Sequence, residues 1–411
     1  MISAADAKKC ILENIRVLNS ESLPLPQVRG RFLATDLHAP IFLPPFDNSA
    51  MDGFALRASE IQGASPASSV SLQVVEVLAA GTLHSTSRIL QSGEAVRIMT
   101  GAPLPPGADT VVPFEEAEEK NGLCVLKKAA LFGKHVRKKG EDVEKGSLVL
   151  TQGTCLNPRN MALLAALGFA QVSVTRLPRL AIFSTGNELK PLGSVLEPGQ
   201  IYDSNGPTLS LALQELGLES KILSTPRDTL QDLLNTFEKA SDAEVMITMG
   251  AVSAGDFDLI PQALKKLGAE ILFHKIAIKP GKPLLFARWK PSRGERRFVF
   301  CLPGNPVSSL VVFDRFVRPA LLKMSGAISF FRKRYVATAS QKIKATAGKE
   351  DYLRAQVEWK EGSFHAQLAG SQGSAHLVSL AKSNALLIVP ESRAEILEGE
   401  KVEFEFWGNE G

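Results

Sequence analysis

A short, largely apolar run at residues 245–249 ends at Gly250. Small residues follow in GAVSAG, then Asp256 and Asp258, then apolar residues at helical spacing: Leu259, Ile260, Ala263, Leu264 and Leu267, stopped by Gly268. A strand that is apolar on both faces and feeds a helix through a tight loop belongs in a sheet covered on both sides. The unit recurs. Strand-like runs at 180–183, 221–224, 245–249 and 298–302 alternate with helical patterns at 208–216, up to 237, and through 322. Strand and helix alternating over residues 177–326 predict a Rossmann-like, doubly wound parallel sheet. Ligands bind such sheets at the carboxyl ends of the strands. STGNE, YDSN, GAVSAGD and LPGNP all fall at those ends.

The residue types there suit a phosphate. Small residues between strand and helix, at Ser184, Thr185 and Gly186 and again from Gly250 through Ser253 to Gly255, let backbone N–H groups approach an anion. Asp256 can cap the following helix or hold Mg²⁺ beside the anion. A strand at 271–273 leads to Lys275, Lys279 and Lys282, the last two within KPGKP, where Pro280 and Pro283 stiffen the backbone around the charges. The plain alternative is an ordinary strand–turn–helix with solvated lysines.

The chain on either side is of different character. Residues 4–18 predict an amphipathic helix, 23–29 an extended segment, and 31–39 a helix end or strand. Pro-rich PIFLPPF leads into DNSAMDGFAL, a fixed, exposed loop carrying Asp52. Alternating runs at 70–78, 95–99, 110–113, 123–127 and 134–137 make residues 46–139 an all-β module, with the acidic run to Glu119 read as a solvated turn. It interrupts a framework domain of residues 1–45 and 140–176. Thr100 and Gly101 close one of its strands, where a hydroxyl and bare backbone suit an oxyanion. Arg137, Glu141 and Asp142 mark the turn VRKKGEDVEKG. Asn157 caps a helix from Pro158. Residues 327–411 form a separate small β domain with one short helix.

Several functions are excluded by what is missing. A net charge of +4 with interspersed signs argues against nucleic acid. No targeting or bilayer-length apolar run argues for a membrane. The four cysteines lack CxxC spacing and the six histidines lack a ligand cluster, so a reduced, cytoplasmic setting without structural zinc is expected. Ser253 sits in a near GxSxG, but Ala251 breaks the pattern and no histidine is placed beside it. Cys301 and His274 read as packed strand residues.

Four segments, NSAMDGFAL, STGNEL with YDSN, GDFD with IKPGKP, and LPGNPVSS, together resemble the molybdopterin molybdenumtransferases (MoeA), related to the E domain of gephyrin. The resemblance covers essentially the whole chain. It implies an elongated four-domain subunit with a Rossmann-like third domain and a C-terminal β-barrel. It also implies a homodimer whose composite sites lie between the second domain of one subunit and the third and fourth of its partner. The implied reaction takes adenylylated molybdopterin, supplied by a molybdopterin adenylyltransferase, and molybdate. It cleaves the phosphoanhydride with Mg²⁺ and places molybdenum on the dithiolene. Carried over, Asp52, Thr100, Asp142 and Glu188 are the catalytic set. Ser184, Thr185, Gly186, Asp203, Gly250, Ser253, Gly255, Lys275, Lys279, Lys282, Pro303 and Asn305 bind the pterin nucleotide. Asp256 or Asp258, with Glu188, holds the metal. Ala251 and Ala254 stand where many relatives have Gly and Val, which would weaken pterin or phosphate affinity. Two other readings stay open at this point: a gephyrin-like dimeric scaffold, and a nucleotide hydrolase or deamidase.

Overall fold

The computed structural model describes residues 1–81, 89–250, 259–290 and 296–407. At its centre is a six-stranded sheet built from β1 (Leu180–Ser184), β2 (Ser220–Ile222), β3 (Val245–Met249), β4 (Glu270–His274), β5 (Leu285–Trp289) and β6 (Arg297–Leu302), in the order β2-β1-β3-β6-β5-β4. Strands β2, β1, β3 and β6 are parallel. All five residues of β1 and of β3 are buried, as expected of strands covered on both faces. On one face Ile182, Ile247 and Phe300 share a core with Leu209 and Leu213 of the helix Asn205–Gln214. On the other, Phe183, Met246 and Val299 pack with Leu233 and Phe237 of Leu230–Lys239 and with Ile260 and Leu264 of Leu259–Lys266.

The sheet departs from the all-parallel expectation at one edge. Strand β4 is antiparallel to β5, and β5 to β6. The cause is the lysine-bearing segment itself. Residues 275–284 fold the chain straight back, with Lys275 N–H donating to the Leu284 carbonyl (2.9 Å) and Ile276 N–H to that of Lys282 (2.9 Å). A hairpin joins antiparallel strands, whereas a helical crossover would have made the pair parallel.

The C-terminal region closes a barrel from β7 (Tyr335–Ala339), β8 (Glu350–Lys360), β9 (Ser363–Leu368), β10 (Ala385–Val389) and β11 (Lys401–Phe406). The order is β8-β9-β7-β11-β10, and β10 pairs back to β8. Its core holds Ala337, Leu353, Ala366, Leu387 and Phe404. The lysine hairpin docks on this barrel, because Ile278–Lys279 pairs in parallel with Glu350 and Asp351. A helical run of Pro306–Val312, Phe313–Val317 and Arg318–Met324, its middle turn wound as π-helix, also meets the barrel through a buried Arg315–Glu405 ion pair.

Toward the N-terminus, a six-stranded sheet runs in the order Thr110–Pro113, Gly53–Leu56, Glu94–Ile98, Val70–Leu78, Leu123–Leu126, Ala117–Lys120. Ala117–Lys120, expected as a solvated turn, is an edge strand; charged residues suit an unpaired edge. Of residues 134–137, only Val136–Arg137 is strand, and His135 has φ 55. Ser20–Pro24 pairs with Gln171–Thr175, and Leu25–Gln27, expected to be extended, is a 3₁₀ turn. The first helix is shorter than its periodicity predicts. It ends at Asn14, and the chain turns extended so that Leu18 N–H reaches the Met324 carbonyl (3.0 Å). Ala4, Ala7, Ile11 and Ile15 pack into the same core as the central sheet.

Candidate active site

The carboxyl ends of β1, β3 and β6 border a cleft of about 860 Å³. Its lining includes Thr185, Gly186, Glu188, Asn205, Asp228, Gly250, Pro303, Gly304 and Asn305. Its floor is bare backbone. Gly250 has φ 98, and a Cβ there would lie 2.5 Å from the Thr185 carbonyl oxygen. A Cβ on Gly304 would lie 3.4 Å from Gly250 Cα. A Cβ on Gly186 (φ 147) would sit 2.7 Å from both carboxylate oxygens of Glu188, so that carboxylate lies over Gly186. At Gly250, where two main chains come this close, glycine is required.

Short polar contacts fix the rim. Asp203 Oδ1 accepts from Ser184 Oγ (2.9 Å) and from the N–H groups of Asn205 (3.0 Å) and Gly206 (3.1 Å). Asp203 thereby ties β1 to a helix that starts at Asn205, three residues before the expected Thr208. Asn205 Nδ2 donates to the Gly304 carbonyl at 2.7 Å. Asn187 and Asp228 bond reciprocally, N–H to side-chain oxygen, at 3.2 and 3.1 Å. The barrel closes one side: Asn305 Nδ2 donates to Ser374 Oγ at 3.0 Å, and Ala375 lines the cleft. The Ser374 loop is anchored from behind by Arg354, which is fully buried. Its Nε donates to Ser379 Oγ (3.0 Å), and its Nη2 to the carbonyls of Ser371 (2.9 Å) and Gly373 (3.1 Å).

Of the KPGKP segment Pro283 lines this cleft, directly after Lys282 in the chain. Lys275 holds a left-handed φ of 73, uncommon for a residue with a Cβ. Lys279 and Lys282 are exposed, and Lys279 Nζ donates to Thr346 Oγ1 of the barrel at 2.9 Å. Ala251, Ser253, Ala254, Gly255, Asp256 and Asp258 lie outside the described residues. Among the described residues no three His, Cys, Asp or Glu side chains converge as a metal-ligating group. The carboxylates lining the cleft are Glu188 and Asp228, hard oxygen donors of the kind Mg²⁺ takes.

A second cluster sits in the N-terminal half. Asp52 Oδ1 accepts from Thr100 N–H (2.6 Å) and Thr100 Oγ1 (2.8 Å). These bonds, the backbone one foremost, hold the Asp52 carboxyl below its ordinary pKa. The Thr100 hydroxyl expected to meet an oxyanion is therefore taken by Asp52, and the Gly101 N–H beside it by the Ser49 carbonyl (2.8 Å). Gly53 follows because a Cβ there would lie 2.1 Å from the Val112 carbonyl oxygen. Asp142 is exposed, its N–H bonded to the Leu43 carbonyl (3.0 Å), on a loop knitted to the Asp52 loop by pairing of Asn48–Ser49 with Val136–Arg137. Asp47 braces that loop, accepting from Lys139 N–H (2.8 Å) and Lys138 Nζ (2.9 Å), which lower its pKa in that order. The lining of the cleft includes neither Asp52, Thr100 nor Asp142.

Sequence reasoning missed Asp47, Asn187, Asp228, Arg354 and Ser374. Two left a readable trace: Arg354 is a lone charge inside the apolar run YLRAQV, and Ser374 lies in the Gly/Ser-rich GSQGS.

Comparison with known proteins matches residues 2–168 to the MoeA N-terminal region (domain I and II), 181–323 to a probable molybdopterin binding domain, and 336–407 to the MoeA C-terminal region (domain IV). The chain is 36% identical over 409 residues to molybdopterin molybdenumtransferase 2 of Mycobacterium tuberculosis, covering 98% of this chain and 99% of that one. It is 36% identical to the molybdopterin molybdenumtransferase of Nostoc sp., covering 98% and 93%. A crystal structure of a molybdopterin biosynthesis MoeA protein from Pyrococcus horikoshii superposes with a TM-score of 0.82 at 35% identity, covering 99% of both chains.

Proposed function

Because the chain belongs to the MoeA family of molybdopterin molybdenumtransferases, enzymes of molybdenum cofactor biosynthesis, we propose that it places the molybdenum of molybdate on the dithiolene of adenylylated molybdopterin, with cleavage of the phosphoanhydride and release of AMP. The observation that carries this reading is the ring of bare backbone at Gly186, Gly250 and Gly304, with the Glu188 carboxylate above it. Such a floor admits phosphate oxygens to the main chain at Gly186 and Gly304, the Gly250 N–H being given to the Leu302 carbonyl (3.1 Å). Lys275, Lys279 and Lys282 add positive charge beside it. Glu188, with Asp256 or Asp258, would hold Mg²⁺, which when bound neutralises the phosphoanhydride.

In this reading the Asp52–Thr100 pair and Asp142 serve the metal-insertion side. Because they do not line the cleft of their own chain, a two-fold homodimer brings them to the cleft of the partner and makes two composite sites. A molybdopterin adenylyltransferase supplies the nucleotide. Among the described residues no helix is long and apolar enough to cross a membrane, and all four cysteines are free, which supports a reduced, cytoplasmic setting.

The test is reconstitution. Purified protein is mixed anaerobically with adenylylated molybdopterin, Mg²⁺ and molybdate, and AMP and the metal-bearing cofactor are followed together. Stoichiometric AMP and cofactor, both lost on chelation of Mg²⁺, are expected. Neither product forming would overturn the proposal.

A further inference from the structure

Asp351 is fully buried, and neither of its carboxylate oxygens has a hydrogen-bond partner among the described residues. Burial pushes the Asp351 pKa up, while the Thr346 hydroxyl, Lys279, the Thr346 backbone N–H and Lys349 pull it back. A buried, unpaired carboxylate is costly, and stability alone does not favour keeping one. Its position is informative. In the parallel pairing of the lysine hairpin with β8, Asp351 is the register partner of Lys279. Register partners in neighbouring strands carry their side chains on the same face of the pleat. Lys279 Nζ in turn donates to Thr346 Oγ1 at 2.9 Å. One cation of the hairpin thus faces a hydroxyl and a carboxylate that both come from the barrel.

We propose that Thr346 and Asp351 are positioning residues for Lys279: the barrel fixes the place of this ammonium, from which it meets the phosphate. The inference rests on the proposed role of Lys279 as a phosphate ligand, and its test separates the two. Adenylylated molybdopterin is titrated anaerobically into wild type, Lys279→Ala, Asp351→Asn and the double variant. Each single change should weaken binding about tenfold, the size of one charge-assisted hydrogen bond. The double variant should bind no more weakly than Lys279→Ala, since both changes remove one function. Multiplying losses, or wild-type affinity in Asp351→Asn, would overturn the proposal. Thr346→Val should reproduce the loss and Thr346→Ser restore binding, which also serves if Asp351→Asn fails to fold. Wild-type affinity in Lys279→Ala would instead overturn the phosphate-ligand reading. The positioning claim is then decided without ligand, by ¹³C-lysine NMR. The Lys279 side-chain resonance should shift in Asp351→Asn and in Thr346→Val relative to wild type, and unchanged resonances would overturn it.

Discussion

Gly250→Ala adds one carbon to the floor of the cleft, and the structure sets the size of the effect. The residue has φ 98, outside the conformations that side chains tolerate well, which costs about 1–3 kcal/mol. The new Cβ would fall 2.5 Å from the Thr185 carbonyl oxygen and 2.8 Å from Thr185 Oγ1, so one strand end must move. Those ends are held by Thr185 N–H to the Met249 carbonyl (2.8 Å) and Gly250 N–H to that of Leu302 (3.1 Å). Loosening one such bond adds about 1 kcal/mol. The sum is roughly 2–4 kcal/mol, or roughly 5–15 °C in the melting of a unit of this size. Gly217→Ala is the matched control. It has φ 71, also left-handed, but no atom within 4 Å of the added carbon, and should cost only about 1 kcal/mol. Scanning calorimetry of both variants, with titration of adenylylated molybdopterin, separates strain from crowding. If Gly250→Ala melts with Gly217→Ala and binds like wild type, the close-packed floor is not what the cleft depends on.

Three further outcomes follow from the same geometry. Thr100→Val removes one of the two bonds that keep Asp52 ionised; the Asp52 pKa rises, so the acid limb of the pH–rate profile should move to higher pH, and an unmoved limb would separate Asp52 from the rate. Arg354→Met frees the loop that carries Ser374; nucleotide affinity measured by calorimetry should fall about tenfold, whereas unchanged affinity would remove the barrel loop from the site. Lys8 is lowered to about 8 by burial first and Arg315 next. Below that pH it is protonated in both folded and unfolded chains; above it, up to the ordinary lysine value near ~10.4, only the unfolded chain keeps the proton. Wild type should therefore gain stability relative to Lys8→Met across that window, and parallel melting-temperature curves for the two proteins would contradict it.

What was legible in the sequence follows from what is local. Strands β1 and β3, the helices between them and the helix Pro158–Ala166 announce themselves because each is a run of one period ended by glycine or a cap, such as Asn157 accepting from Arg159 and Asn160 N–H. Chemistry confined to one loop was equally readable: the small residues after β1, and Asp203 within YDSN. The antiparallel edge was not, because a strand carries no mark of its direction, and the hairpin at 275–284 is made by main-chain bonds indifferent to side chain. Nor were the long-range partners. Ser374 meets Asn305 across 69 residues, and Thr346 meets Lys279 across 67. Only the closed barrel, docked on the hairpin, makes them neighbours. Asp52 and Thr100 were each read as functional, but that Asp52 occupies both donors of Thr100 is a fact of two loops 48 residues apart.

The account turns on a site shared between two chains, and a mixed dimer tests this most directly. On the proposed roles, Asp52→Ala should disable the metal-insertion side and Glu188→Ala the phosphate side, so each variant refolded alone should be inactive in cofactor formation. In a mixed dimer both lesions fall in one composite site, and the other is intact. Random re-association makes about half the dimers mixed, each with one working site of two, so roughly a quarter of wild-type cofactor formation should return after co-refolding. No recovery, with mixed dimers confirmed by mass spectrometry, would place the whole site within one chain and contradict the account.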